Sequence, residues 1–127
     1  AGGSAVTLTG TQTLTNKTLT NPTINNYTEG TVAIGNTGTS HTFSLTSGTF
    51  QTATLNGNCT FTMPTAATGK SFILKLTQGG SNTATFTNVK FPGGTAPTIT
   101  ATTNAIDIIS FISDGTNWYG TATQDYQ

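Results

Sequence analysis

Apolar residues alternate with Ser and Thr over much of the chain beyond residue 30, and this alternation predicts β-strands. It is cleanest in residues 71–77, where Phe72, Leu74 and Leu76 fall on one face of the predicted strand. Residues 106–112 place apolar side chains on both faces, as is typical of a central strand that is covered from two sides. Because no long window carries the apolar stripe of a helix, the chain is predicted to be all-β.

The turns between these segments are predicted from Gly, Asn and Pro. Asn56-Gly57 fits a two-residue hairpin turn, since both residue types accept a positive φ, and Gly79-Gly80 fits a second turn from which the chain returns. The spacing predicts a β-sandwich or jelly-roll-like domain over residues 29–127, although a trimeric prism would give similar spacing and the strand order is not predicted. The predicted strands are residues 31–34, 42–45, 48–55, 59–63, 71–77, 83–87, 89–91, 98–102, 106–112 and 118–123.

Residues 13–27 contain a repeat of a different kind, the five-residue units TLTNK, TLTNP and TINNY, with Leu14, Leu19 and Ile24 at matching places. A period of five fits neither a helix nor a simple strand. One apolar residue per unit gives too little surface to close a core alone, and repeats of this kind stack on copies of themselves. We therefore predict that residues 1–28 form an extended assembly arm whose missing surface comes from other chains.

Charged residues are scarce, at 6% of the chain against a usual ~25%, with zero net charge and no Arg. Four lysines cannot neutralise a run of phosphates, so neither nucleic acid nor an anionic membrane surface is an expected partner. Hydroxyl and amide groups in place of charge suit a part that is held in an assembly, and they predict little sensitivity to salt. The first residues resemble neither a signal peptide nor a membrane span, and neither is expected.

No set of residues predicts an enzyme, a metal site or a cofactor. Glu29, Asp107, Asp114 and Asp125 are far apart in sequence, whereas glycoside hydrolysis needs two carboxylates that flank one bond. Asp107 and Asp114 bracket one predicted strand and could face a shared groove, but Asp114 is expected to make the turn before Gly115 and Asp107 to have a local polar partner.

His41 and Cys59 are each the only residue of their type. His41 lacks metal ligands at suitable spacing and is expected in a turn between two hydroxyl residues, although three copies around a symmetry axis could bind a metal. Cys59 begins a segment whose odd positions are apolar, so it is expected to lie in the core as a small hydrophobic residue rather than as a reactive thiol. The Thr-x-Thr runs at residues 7–9, 18–20, 83–85 and 98–100 are spaced too irregularly for the threonine ladder of an ice-binding solenoid.

Trp118 and Tyr119 point to opposite faces of their predicted strand, so one is expected in the core and the other on the surface. An exposed ring near Asp114 and Asn117 could stack on a sugar. The alternative, which we favour, is that the exposed ring packs against a neighbouring subunit or against the arm, since aromatic residues are enriched at interfaces.

Two parts of the chain resemble bacteriophage structural proteins. Gly10-Thr11-Gln12 followed by TLTNKTLTNPTI resembles a linker found in phage tail-fibre and other virion proteins. The stretches NVKFPGGTAPTIT (residues 88–100) and FISDGTNWYGTA (residues 111–122) resemble a β domain at the ends of such proteins. The resemblance implies a role in folding and assembly, with no catalytic residue.

The size of the chain is closer to that of a capsid cement or decoration protein than to that of a long fibre. The resemblance therefore implies a non-enzymatic protein on the outside of a virion, expected to be a trimer, with other virion proteins such as the major capsid protein as partners. The alternative is a tail-fibre tip that recognises host surface glycans.

Overall fold

The computed structural model describes residues 5–127, so the first four residues of the predicted arm lie outside the described part. The prediction of an all-β protein is confirmed: nine strands are accompanied by only one short 3₁₀ turn, Pro92–Gly94, in the part of the chain that is described. The strands are β1 (Thr31–Asn36), β2 (Ser40–Thr42), β3 (Phe50–Leu55), β4 (Cys59–Thr62), β5 (Ser71–Gln78), β6 (Ala84–Thr87), β7 (Val89–Lys90), β8 (Ile106–Ser113) and β9 (Trp118–Tyr126).

The strands form a six-stranded sheet, in the order β1-β3-β5-β8-β9-β7, and a three-stranded sheet, in the order β2-β4-β6. Strands β1, β3 and β5 are parallel, and so are β2, β4 and β6. The chain therefore makes three similar coils, each with one strand in the large sheet followed by one in the small sheet. Only β8 and β9 add antiparallel pairs, in contrast to the antiparallel strands of a jelly roll.

The hairpin predicted at Asn56-Gly57 is wrong, because β3 and β4 lie in different sheets. Neither residue has a positive φ; Asn56 instead accepts a hydrogen bond from the Gly38 N–H through Oδ1, at 2.9 Å. In the same way Asn58 Oδ1 accepts the Thr83 N–H of the next coil, at 2.9 Å. Amide side chains thus join the corners of successive coils, and the Asn-Gly pair marks a corner between sheets.

Two further sequence predictions are also wrong. The chain does not return beside β5 after Gly79-Gly80, because β6 belongs to the small sheet. The strand predicted at residues 98–102 is an irregular segment, in which Ile99 is buried and the backbone and hydroxyl of Thr100 bond to a carboxylate rather than to a neighbouring strand.

The core lies between the two sheets and is rich in Phe. The predicted alternation in β5 is confirmed, since Phe72, Leu74 and Leu76 are all buried. Each coil contributes one ring to a stack of Phe43, Phe61 and Phe86, whose neighbouring centroids are 5.1 Å apart and nearly parallel. This stack holds the coils in register by apolar burial and ring packing.

Strand β8 is covered on only one face in the described part of the chain. Its core face includes Ile109 and Phe111, both fully buried, whereas Ile112 on the opposite face is 60% exposed. The two-sided cover predicted for this strand is therefore missing from the chain taken by itself. The sequence pattern located a central strand of the sheet, but the outer face, with Ile106 and Ile108 half-buried, is not covered by a second layer within residues 5–127.

Candidate functional site: the arm and the two sheet surfaces

The five-residue repeat of the arm is also a repeat of backbone conformation. Asn16, Asn21 and Asn26 occupy the fourth place of successive units, and all three have positive φ, at 54°, 48° and 53°. Asn tolerates the left-handed region better than other residues that carry a side chain. The sequence prediction identified the repeat but missed this feature, although Asn at a fixed place in each unit was the available signal.

The apolar residues of the arm have no partner surface among residues 5–127. Leu14, Leu19 and Ile24 are 49%, 59% and 57% exposed, and no part of residues 5–30 forms a strand. Within the described residues, no backbone-to-backbone hydrogen bond involves residues 5–29. The arm is therefore regular in conformation but is not supported by packing within its own chain.

The arm joins the domain at one end of the six-stranded sheet. The Gly30 carbonyl accepts hydrogen bonds from the N–H groups of Thr49 and Phe50, at 3.0 and 3.1 Å, and the Thr49 hydroxyl donates to Glu29 Oε2 at 2.9 Å. Gly48 is required here, because a Cβ at this position would lie 2.1 Å from the Gly30 carbonyl oxygen. A shallow groove begins at this junction, and it is lined by Glu29, Thr49, Ser71, Ile73, Ser110 and Ile112 among others.

The outer faces of the two sheets differ in chemistry. On the small sheet, Ser40, Thr60 and Thr85 lie side by side across the three parallel strands, as do Thr42, Thr62 and Thr87. Of the Thr-x-Thr runs noted in the sequence, only residues 83–85 contribute to this array of hydroxyls, through Thr85. On the large sheet the outer face carries the apolar residues Phe50, Ile73, Ile106, Ile108, Ile112, Tyr119 and Tyr126.

The suggested sugar-binding cluster is only partly accessible. Trp118 is buried in the core and donates its indole N–H to the Pro64 carbonyl at 2.8 Å, so it cannot stack on a ligand and that candidate is wrong. Tyr119 is the exposed ring of the pair, at 39%. The expected opposition of the two rings is thereby confirmed.

Asp114 forms the predicted turn. Its Oδ1 accepts the N–H groups of Thr116 and Asn117, at 2.8 and 2.7 Å, and its Oδ2 accepts the Tyr119 hydroxyl at 3.0 Å. These hydrogen bonds, above all those from the two backbone N–H groups, lower the pKa of Asp114 to about 2. The same carboxylate raises the pKa of Tyr119. Asp114 thus closes the turn with Asn117 and orients Tyr119, and these bonds use three of the about four acceptor sites of the carboxylate.

Asp107 is separate from this cluster and almost fully buried. It accepts hydrogen bonds from the Thr100 N–H and hydroxyl, the Asp125 N–H and the Gln124 amide, at 2.8 to 3.0 Å. Burial opposes the charged form, but these donors outweigh it and lower the pKa of Asp107. The carboxylate therefore ties three segments together and does not pair with Asp114 in a groove.

His41 and Cys59 have structural surroundings. His41 lies in β2 rather than in a turn, which corrects the prediction; its ring packs edge-on against Phe43 and Phe61, and burial lowers its pKa. Cys59 is in the core as predicted, and burial raises the pKa of its thiol against a smaller opposing effect of Thr37. Among residues 5–127, no three His, Cys, Asp or Glu side chains come together as a metal site.

The described residues contain no helix that is long and apolar enough to cross a membrane. Comparison with known proteins adds no relative, since no protein-family model, curated protein or solved structure matches the chain.

Proposed function

We propose that this protein is a non-enzymatic structural component of a bacteriophage particle, a capsid decoration, cement or head-fibre module on the outer surface of the virion. It assembles through its arm, as a trimer, and contacts other virion proteins such as the major capsid protein. The observation that carries the proposal is the arm itself: three units with the same backbone conformation present Leu14, Leu19 and Ile24 to solvent. The resemblance of the arm and of residues 111–122 to phage structural proteins supports the same role.

An ordered arm that packs on nothing is unfavourable in free energy. Ordering the backbone costs about 1–2 kcal/mol per residue, and an extended segment that packs on nothing recovers little of this. Strands or ribbons from other chains would supply both the missing apolar contacts and partners for the backbone N–H and C=O groups. A regular conformation without internal support is therefore expected in a segment whose stable form includes several chains.

In the proposed assembly, residues 29–127 are a sandwich-like module in which two sheets enclose one core. All the residues of that core lie beyond the arm, from Phe43 to Trp118, so we expect the module to fold when the arm is removed. In the assembled particle it would bridge subunits or display a surface. Neither role needs catalysis or a cofactor.

The test is the native mass, measured by light scattering on the full chain and on a chain without residues 1–28. We expect a trimer for the first and a monomer for the second. The variant Leu14→Ser/Leu19→Ser should also be monomeric, because each change removes an apolar contact worth about 1.5–3 kcal/mol when buried. Leu14→Ile/Leu19→Ile is the matched control, since the third unit carries Ile at this place.

Normal assembly of the serine variant would contradict the role of the arm. Monomers in both the full and the shortened chain would mean that the arm needs a partner from the capsid, and binding to capsids that lack this protein would be measured next.

A glycan-binding tip of a tail fibre is the second candidate, and the exposed, firmly oriented ring of Tyr119 favours it. With Trp118 in the core, stacking on a sugar would depend on Tyr119 alone. Binding on a glycan array that is lost in Tyr119→Ala and kept in Tyr119→Phe would support this function. The absence of any binding, with many copies of the protein on the phage head, would support the first.

A further inference from the structure

Four apolar side chains on the outer face of the large sheet, Phe50, Ile73, Ile112 and Tyr119, form what we call the apolar patch. Phe50 and Ile73 are cross-strand neighbours in β3 and β5, and Ile112 and Tyr119 are cross-strand neighbours in β8 and β9. None of the four belongs to the core cluster or packs against it. The patch is therefore apolar surface that the fold itself does not use.

The patch is a local feature and not a general property of the surface. The exposed large apolar residues of residues 31–127 are Ile112, Tyr119 and Tyr126, and all three lie on this face. The outer face of the small sheet presents hydroxyls at the equivalent positions. The largest apolar patch on a protein surface is often functional, especially when polar residues surround it, and here it is confined to one face of one sheet.

We propose that the apolar patch of each copy packs against a neighbouring copy of this chain, around the same axis along which the arms associate. The inference rests on the proposed function, because it is the arm that brings the copies together. The groove that borders the patch begins at Glu29, where the arm leaves the domain. Copies joined through their arms would consequently meet first at this end of the sheet.

The charges at the rim fit such an arrangement. The four residues of the patch are uncharged, and Lys75 borders them on the same face of β5, two residues beyond Ile73 and opposite Ile108. Glu29 lies at the rim beside β3, and Lys90 lies at the opposite rim, opposite Tyr119 in the register of β7 and β9. In a ring of identical copies the acidic rim of one domain faces the basic rim of the next.

The size of the patch explains why the arm is still needed. Four strands about 4.8 Å apart and about three residues of about 3.4 Å in length give a face of about 200 Å². Stable interfaces bury about 800 Å² on each partner, so the patch supplies about a quarter of that area. The domain alone is thus expected to remain a monomer, and the patch strengthens an oligomer that the arm initiates.

The first experiment compares the full chain with Ile73→Asn/Ile112→Asn by sedimentation across a range of protein concentrations. The expected result is a dissociation constant raised by roughly ten-fold or more, because two apolar contacts per domain are lost. Thr60→Asn/Thr85→Asn, on the outer face of the small sheet, is the matched control and should leave the constant unchanged. Fluorescence emission from the buried Trp118 verifies that each variant is folded. If the double variant does not fold, Ile112→Thr is the milder replacement.

The second experiment identifies the partner. Glu29→Lys should weaken the oligomer several-fold through like charges at the rim, and Glu29→Lys/Lys90→Glu should restore it. A dissociation constant within about two-fold of the parent for the Ile73/Ile112 variant would overturn the inference, as would failure of the double reversal to restore assembly. A full chain that stays monomeric would overturn it too. The proposed function fails separately, if the chain without residues 1–28 assembles as well as the full chain.

Discussion

At the scale of single residues, Asp107 is the one buried acidic side chain among residues 5–127. A buried carboxylate is tolerated only when hydrogen bonds replace its water, and here four donors from three residues do so. These donors come from the segment before β8 and from the end of β9, so the carboxylate fixes two parts of the chain that no strand pairing joins. The sequence indicated a local polar partner for Asp107 but not a hub of this kind.

We expect Asp107→Asn to lower the free energy of unfolding by about 2–3 kcal/mol, since one amide group would face donors in place of an acceptor. Because the pKa of Asp107 is lowered in the folded state, its contribution is fully present above the ordinary value near 4 and is lost as the pH falls through the lowered value. Urea unfolding as a function of pH checks both effects. If the parent and the variant lost stability equally between about pH 5 and pH 2, this assignment would be wrong.

At the scale of elements, the arm depends on its left-handed asparagines. Asn21→Gly should preserve assembly, because Gly adopts positive φ readily, whereas Asn21→Val should weaken it, since a β-branched residue at positive φ is strained by about 1–3 kcal/mol. Light scattering of the full chain measures the difference. Equal assembly of the two variants would mean that the repeated conformation is not needed.

The positions of the strands could be predicted from the sequence better than their pairing. Alternation located β5 and its buried face, because burial of one face imposes a period of two on the residues. The continuous apolar run located β8 but did not indicate which face is buried. Neither pattern could give the pairing, since an Asn-Gly corner between sheets carries the same residues as a hairpin turn. The hydrogen bonds that make Asn56-Gly57 a corner between sheets, such as the bond from the Gly38 N–H to Asn56, join residues that are distant in sequence. The repeat of Leu14, Leu19 and Ile24 was visible in the sequence, but the left-handed conformation of the Asn in each unit was not inferred from it.

At the scale of the whole molecule, the scarcity of charge leaves apolar burial and hydrogen bonding as the main sources of stability. With 6% charged residues and zero net charge, there is little for added ions to screen. We expect the dissociation constant of the oligomer to change less than about ten-fold between roughly 0.05 M and 0.5 M NaCl. Sedimentation at several salt concentrations tests this, and a steeper dependence would reveal an electrostatic interface beyond the Glu29 and Lys90 rims.

The three parallel coils also determine how this fold can change in length. Neighbouring coils are joined by strand ladders, by corner asparagines and by the Phe stack, and Phe43 of the first coil also packs against Phe72 of the third, with 5.1 Å between ring centroids. Insertion or loss of a whole coil between the first and the third would shift one end of the domain by about 4.8 Å and leave both ends unchanged in themselves. The distance between the arm junction at β1 and the β8–β9 hairpin can therefore change during evolution only in steps of one strand spacing, about 4.8 Å.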